Sequence, residues 1–308
     1  MNSLRVGTRP SLLATTQTKW FVEKLVQSKP NLQVELVPIK SEGDATTTPL
    51  SEAKTPGVFV SSLRSALLEN RVDLVVHSMK DLPSAPHPQI ITGCTPERED
   101  PRDVLVSKLG LTISQLPAGA VVGTSSPRRA ASIRNLRPDL QLRSIRGNVD
   151  SRISKVRSGE FDATVLALAG LNRINKSHEV SEFFDPEQMI PAPGQGALAV
   201  ECRVQDRELF ELLDQFTDLE TLLTTTAERS VLLGLGASCQ TAIGAFATLD
   251  NGQLSLVAEL AIEDTGESVR LQASLSDSEL TPQSCRELGM SIAKRFRAME
   301  IASRAALN

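Results

Sequence analysis

The stretch "VFVSSLRSALLENRVDLVVHSMKD" (58–81) decides the fold. Residues 58–71 carry apolar side chains at three- and four-residue spacing and read as a helix, and "VDLVVHS" (72–78) reads as a short buried strand ending in the polar turn "HSMKDLPS" (77–84). Upstream, "LRVGTR" (4–9) reads as a strand entering a polar loop, "LLATTQTKWFVEKLVQS" (12–28) as an amphipathic helix and "LQVELVPIK" (32–40) as a strand. Such alternation predicts an α/β domain with a mainly parallel sheet. Binding residues then belong in the loops just past the strand C-termini.

A second loop of that kind follows "GAVV" (119–122) and opens "GTSSPRRAASIRNLRPDLQLRSIRGNVDSR" (123–152). This stretch holds Arg128, Arg129, Arg134, Arg137, Arg143, Arg146 and Arg152 and no lysine, in a chain of formal net charge −4. Ser125 and Ser126 are candidate helix caps, Pro127 suits a first turn, and the amides of the helix "AASIRNLR" (130–137) would face an anion. Arginine in preference to lysine points to bidentate recognition of carboxylates or phosphates, so the expected substrate carries several negative charges. The plain alternative is a solvated basic face. With no tyrosine, one tryptophan and nine phenylalanines, the chain lacks the stacking platforms of a single-strand nucleic-acid binder, and no nucleic-acid partner is expected.

At 308 residues, two or three domains are expected. "TPEREDPRD" (95–103) and "DPEQMIPAPGQG" (185–196) read as linkers, which makes the segment between them an inserted domain and predicts a hinged cleft. After residue 215 the texture changes to a helix, two strands and a C-terminal helix, a small α+β third domain. No apolar run is long enough to cross a bilayer, and the N-terminus lacks signal and transit patterns, so the expected location is cytoplasmic with no membrane partner. Cys94, Cys202, Cys239 and Cys285 form no CxxC pair, which argues against zinc and against a disulfide framework. Asp81 falls beside Lys80 past a strand end, where a carboxylate stays ionised and can stabilise a cation or carry a proton; a turn aspartate is the bland reading. Cys239, in "GLGASCQTAIG" (234–244), has small neighbours that leave room around a functional thiol, the alternative being a small buried hydrophobe; His77 reads as a structural hydrogen-bonder.

Together with "VGTRPSLLA" (6–14), "EREDPRD" (97–103), "RGNVDSR" (146–152), "LAGLNR" (168–173), "PAPGQGALAVECR" (191–203) and "TAERS" (226–230), these stretches make the chain resemble the porphobilinogen deaminase (hydroxymethylbilane synthase) family nearly from end to end. The resemblance implies a transferase that joins four porphobilinogen molecules head to tail with loss of ammonia, giving the linear tetrapyrrole 1-hydroxymethylbilane of haem and porphyrin synthesis. Each pyrrole carries an acetate and a propionate, which accounts for the arginines. It implies a dipyrromethane cofactor held by a thioether to Cys239, with Asp81 catalytic. Lys80, Asp81, Thr124, Ser126, Arg128, Arg129 and Arg146 would bind the cofactor, and Arg9, Ser11, Arg146, Arg152 and Arg173 the substrate. The implied fold is α/β in three domains, the first two like type II periplasmic binding proteins around a cleft: 1–96 with 197–215, 97–196, and a small α+β domain 216–308 carrying the cysteine. A monomer without metal is implied. A non-catalytic small-anion binder with the same two-domain cleft is the alternative. The sequence departs from the family at "SEAKTPGVFV" (51–60), where Pro56 replaces a lysine common in the mobile loop and Lys54 is the nearest substitute. "ASCQTA" (237–242) stands where "GGCQVP" is common, which suits Ala237 and Ser238 only where no positive φ is required.

Overall fold

The computed structural model describes residues 2–40, 58–237 and 240–305. In chain order the elements are β1 (Ser3–Thr8), α1 (Leu12–Ser28), β2 (Gln33–Pro38), α2 (Val58–Leu68), β3 (Leu74–Ser78) and β4 (Ile90–Cys94). There follow β5 (Asp103–Ser107), β6 (Val121–Gly123), α3 (Pro127–Leu136), β7 (Gln141–Arg143), α4 (Val149–Arg157), β8 (Ala163–Ala167), α5 (Leu168–Arg173) and β9 (Glu182–Phe183). The last are β10 (Leu198–Arg203), α6 (Arg207–Asp214), α7 (Leu219–Leu235), β11 (Ile243–Asp250), β12 (Gln253–Ala261), β13 (Ser268–Leu275), α8 (Pro282–Arg297) and α9 (Glu300–Arg304). The contacts divide into two compact units, Met1–Glu99 with Ala197–Leu222, and Asp100–Gly196 with Leu223–Asn308.

The first unit holds a five-stranded sheet in the order β2-β1-β3-β10-β4. β1 pairs parallel with β2 and β3, and β10 runs antiparallel to both β3 and β4. The reading of 72–78 as a strand rests on its burial from both sides. Leu74 and Val76 pack with Phe21 and Leu25 of α1, whereas Val75 packs with Leu63, Ala66 and Leu67 of α2. A strand sandwiched between helices has no solvent face, so it loses alternation and becomes an uninterrupted apolar run. Each fully buried side chain of this size contributes about 1.5–3 kcal/mol. The helix expected over 58–71 stops at Leu68, and Asn70 turns the chain through a left-handed φ of 57°.

The second unit begins with another five-stranded sheet, β7-β6-β8-β5-β9, in which β6 pairs parallel with β7 and β8 while β5 runs antiparallel to β8 and β9. Counted from its own first parallel strand, each sheet reads second, first, third, an antiparallel entrant, then a last edge strand. The entrant, β10 or β5, is the strand that arrives by a crossover from the other sheet's stretch of chain. The α/β fold class read from the sequence is therefore present twice, in the same strand order. The rest of the unit is an antiparallel meander, β11-β12-β13, one face of which packs on α7 and α8 through Leu223, Ala227, Val231, Leu256, Ala258, Ile292 and Phe296.

Candidate functional site

In the first unit, β1 and β3 are parallel neighbours in register at Val6↔Leu74 and Gly7↔Val75, so the loops that follow them leave the same sheet edge. Arg9 and Ser11 follow β1, and Lys80 and Asp81 follow β3. Ser11 caps α1, its Oγ accepting from the Ala14 amide at 3.4 Å, and Gln17 Nε2 donates to Ser78 Oγ at 3.0 Å, tying that helix to the end of β3. Met79–Asp81 forms a single 3-10 turn that leaves Asp81 exposed and Lys80 half-buried. Among the described residues, the Asp81 carboxylate has no hydrogen bond or ion pair.

His77, one residue before Ser78, is buried with its Nε2 3.3 Å from a Glu201 oxygen, and Arg64 grips the same carboxylate with Nε at 2.9 Å and Nη2 at 2.6 Å. Burial works to raise the Glu201 carboxyl, but the Arg64 and His77 partners outweigh it and hold the group at about 2. This is an anchoring cluster under the strand that delivers Lys80 and Asp81.

In the second unit the parallel strands β6, β7 and β8 likewise send their C-terminal ends to one edge. Past β6 lie Thr124, Ser126, Arg128 and Arg129; past β7 lies Arg146, with Arg152 on α4; past β8 comes Arg173 at the end of α5. Ser126 rather than Ser125 is the cap of α3, its Oγ accepting from the Arg129 amide at 3.5 Å, with Pro127 in the first turn; Thr124 Oγ1 accepts from the Ser126 amide at 3.2 Å. Ser125 instead bonds Ser144 and the Ile145 carbonyl. Arg152 Nε donates to the Gly147 carbonyl at 2.9 Å and Arg173 Nη2 to the Gly196 carbonyl at 2.7 Å. Arg146 is half-buried and makes no ion pair or hydrogen bond through its guanidinium among the described residues.

Arg128 and Arg129 are less open than their loop-to-helix position implied. They are 5% and 7% exposed and share one carboxylate, Asp103 at the start of β5, which is 0% exposed. Arg128 Nη2 reaches Asp103 Oδ2 at 2.6 Å and Arg129 Nη2 reaches Oδ1 at 2.7 Å. Burial alone would raise the Asp103 carboxyl, yet the two guanidiniums hold it well below the usual carboxylate range; burial also lowers Arg128 from its ordinary value. Two cations against one anion leave an excess of one positive charge, and the Arg128 Nε is buried without an acceptor. A carboxylate-bearing cofactor fits this donor set, because it would offset the excess charge.

Cys239 and the 51–57 loop with Lys54 and Pro56 lie outside the described residues. α7 runs toward the cysteine and ends where Gly236 takes a φ of 65°, with the Ala237 amide donating to the Leu232 carbonyl at 3.0 Å; Ala237 itself is not at positive φ, so its methyl is accommodated. Cys94, Cys202 and Cys285 are buried. Burial pushes the Cys202 thiol up to about 11 and raises those of Cys94 and Cys285 as well. Among the described residues, no cluster of three or more histidine, cysteine or acidic side chains is placed to hold a metal, and no helix is long and apolar enough to cross a membrane.

Sequence reasoning missed Asp103, Gln195, Glu201 and Glu228. Gln195 Nε2 donates to Asp103 Oδ1 at 2.9 Å, and the buried Glu228 accepts from the Gly194 and Ala247 amides at 2.7 and 2.9 Å. The signal available was an acidic residue opening the otherwise apolar strand "DVLVS" (103–107) and one inside "TAERS" (226–230).

The family profile described as "Porphobilinogen deaminase, dipyromethane cofactor binding domain" matches residues 4–211, and "Porphobilinogen deaminase, C-terminal domain" matches 222–298. The chain is 44% identical over 288 residues to the porphobilinogen deaminase of Bacillus pumilus, covering 92% of this chain and 93% of that one. It is 45% identical over 298 residues to that of Acidothermus cellulolyticus (95% and 88% covered) and 46% identical over 255 residues to that of Bacillus subtilis (82% and 81% covered). With the arginine-lined sheet edge, the exposed carboxylate past β3 and both profiles matched in order, the chain belongs to the porphobilinogen deaminase family.

Proposed function

We propose that Asp81 is the carboxylate through which this chain runs its family's reaction. The chain is a hydroxymethylbilane synthase: four porphobilinogen molecules and one water become one 1-hydroxymethylbilane and four ammonia. Two features, each within its own unit, support the site assignment: in the second unit a cationic sheet edge, where Arg128 and Arg129 hold one positive charge in excess and Arg146 makes no ion pair among the described residues, and in the first unit an exposed Asp81 with no hydrogen bond or ion pair among the described residues. A substrate that brings two carboxylates per ring needs the first. A reaction that creates a cation on the ring as ammonia leaves, and then removes a proton from the next pyrrole, needs the second. A non-catalytic anion binder would have no use for it.

When bound by a thioether to Cys239, the dipyrromethane supplies the primer on which the product chain is extended. Lys80, Thr124, Ser126, Arg128, Arg129 and Arg146 are the residues that would hold its carboxylates and hydrogen-bonding groups. Arg9, Ser11, Arg146, Arg152 and Arg173 would orient the incoming porphobilinogen by its acetate and propionate. Asp81 would accept the hydrogen bond of a pyrrole N–H, stabilise positive charge on that ring, and hold and release the proton displaced in each condensation. The same proposal takes the domains as 1–96 with 197–215, 97–196 and 216–308, and the chain as a cytoplasmic monomer that binds neither nucleic acid nor membrane. Its net charge of −4 and scarcity of aromatic side chains support the last point.

The test is the intact mass of the purified chain. It is expected to exceed the sequence mass by one dipyrromethane, an increment that Cys239→Ser abolishes together with activity. Cys94→Ala, Cys202→Ala and Cys285→Ala should retain it, because those thiols are buried and raised. A fully active chain of unmodified mass overturns the reading.

A further inference from the structure

We propose that Asp103 is a positioning residue for this reaction: clamped by Gln195, it presents Arg128 and Arg129 as a single receptor for one carboxylate. The inference rests on the functional reading above. It starts from the saturation of Asp103. Its Oδ1 accepts from Arg129 Nε at 3.1 Å, Arg129 Nη2 at 2.7 Å and Gln195 Nε2 at 2.9 Å, and its Oδ2 accepts from Arg128 Nη2 at 2.6 Å. Asp103 and Gln195 are both 0% exposed.

Each guanidinium is then pinned from its far side by a carbonyl. Arg128 Nη1 donates to Ile190 O at 2.7 Å and Arg129 Nη1 to Val165 O at 3.0 Å. Gln195 is fixed in turn, since its second Nε2 hydrogen goes to Pro101 O at 2.7 Å and the flanking Gly194 and Gly196 hold positive φ values of 75° and 89°. Four donors on one carboxylate leave it no freedom to turn. Both arginines therefore take their orientation from Asp103.

A buried arginine–acid–arginine cluster can also serve packing alone. Two features separate this one from that case. Its charge does not close, because Asp103 is the carboxylate that pairs with both guanidiniums while Glu259, which also acts on Arg128, is itself paired with Arg270, and the Arg128 Nε has no acceptor although it is buried. It also sits where α3 begins, past the C-terminal end of β6, the sheet edge at which α/β folds bind anions. The excess of one charge sets the capacity at one carboxylate.

The experiment uses the full-length chain prepared without its cofactor, as wild type, Asp103→Asn and Gln195→Met. Uptake of added porphobilinogen into the cofactor position is followed by intact mass, and thermal unfolding of each apo-protein is recorded. Asp103→Asn should raise the half-saturating porphobilinogen concentration for loading at least tenfold, and Gln195→Met two- to fivefold. At saturation, and below each variant's unfolding midpoint, the loadable fraction should match wild type. A cluster that serves packing alone would lower the midpoint and the loadable fraction without moving half-saturation, and that result overturns the proposal. So does loading of both variants at the wild-type concentration. Should Asp103→Asn fail to fold, Gln195→Met decides alone, because it keeps the charge and loses only the clamp. A wild-type chain that takes up no porphobilinogen overturns the functional reading itself.

Discussion

Replacing Asp81 by asparagine keeps the side-chain shape and removes one negative charge, and the structure separates what this does to stability from what it does to rate. Asp81 is exposed and has no hydrogen bond or ion pair among the described residues, so the substitution deletes no native contact. A surface change of this kind stays within about 0.5 kcal/mol of wild type. The effect on rate depends on how far water is kept from the carboxylate when it faces the cationic ring. At ~4 Å the attraction is about 1 kcal/mol in bulk water and about 4 kcal/mol at an effective dielectric near 20. The first figure is less than a tenfold loss, the second about a thousandfold. A site that assembles around its substrate should approach the second, so turnover is expected to fall by ~10²–10³, with Asp81→Glu impaired yet measurably active. Three measurements on each variant suffice: intact mass to confirm the cofactor, thermal unfolding to confirm the unchanged fold, and steady-state release of ammonia. A loaded Asp81→Asn enzyme that turns over within threefold of wild type refutes the catalytic assignment.

Arg146→Leu should fold normally and carry cofactor, because Arg146 makes no ion pair among the described residues, yet accumulate partly extended chains detectable by intact mass under substrate; complete product at the wild-type rate would remove it from the site. Acid stability should report Glu201. Its folded-state carboxyl is depressed to about 2, so its contribution is fully present above the unfolded value of about 4.5 and is lost as pH falls through about 2. A shift of that size corresponds to about 3 kcal/mol, and urea midpoints of wild type should fall across that window while those of Glu201→Gln stay comparatively flat; parallel curves would show that Glu201 does not set the dependence.

The α/β character was legible because β3 is covered on both faces, which turns "VDLVV" (72–76) into a continuous apolar run that only a buried strand of this length explains. The start of α3 was legible as well, through the serine and proline that open it. What the residues alone could not show was which arginines are already partnered. Arg128 and Arg146 look equivalent in a string of guanidiniums, but one is tied to Asp103, 25 positions earlier, and the other to nothing among the described residues. Partnering across that separation is fixed by strand order, since β5 enters its sheet beside β8 after a crossover. Periodicity carries no record of crossovers.

The arginines of the 123–152 stretch divide by how they are partnered. Arg137 is held by Asp139 and by the Ile113, Ser114 and Leu116 carbonyls, Arg134 reaches the Glu263 carbonyl, and Arg143 lies over Phe161 while donating to the Glu160 carbonyl. These three brace the fold. Arg128 and Arg129 combine bracing with one spare charge, and Arg146 alone keeps its whole guanidinium uncommitted among the described residues. A fully neutralised edge would bind nothing, and one with every charge free would repel itself in a buried setting and hold successive anions too tightly to pass them along. On the proposed assignment, a graded edge, with Arg128 and Arg129 as a one-charge receptor and Arg146 uncommitted among the described residues, would keep one polycarboxylate anchored while a second group is taken up. The growing product, which gains two carboxylates with each ring, requires both behaviours at once.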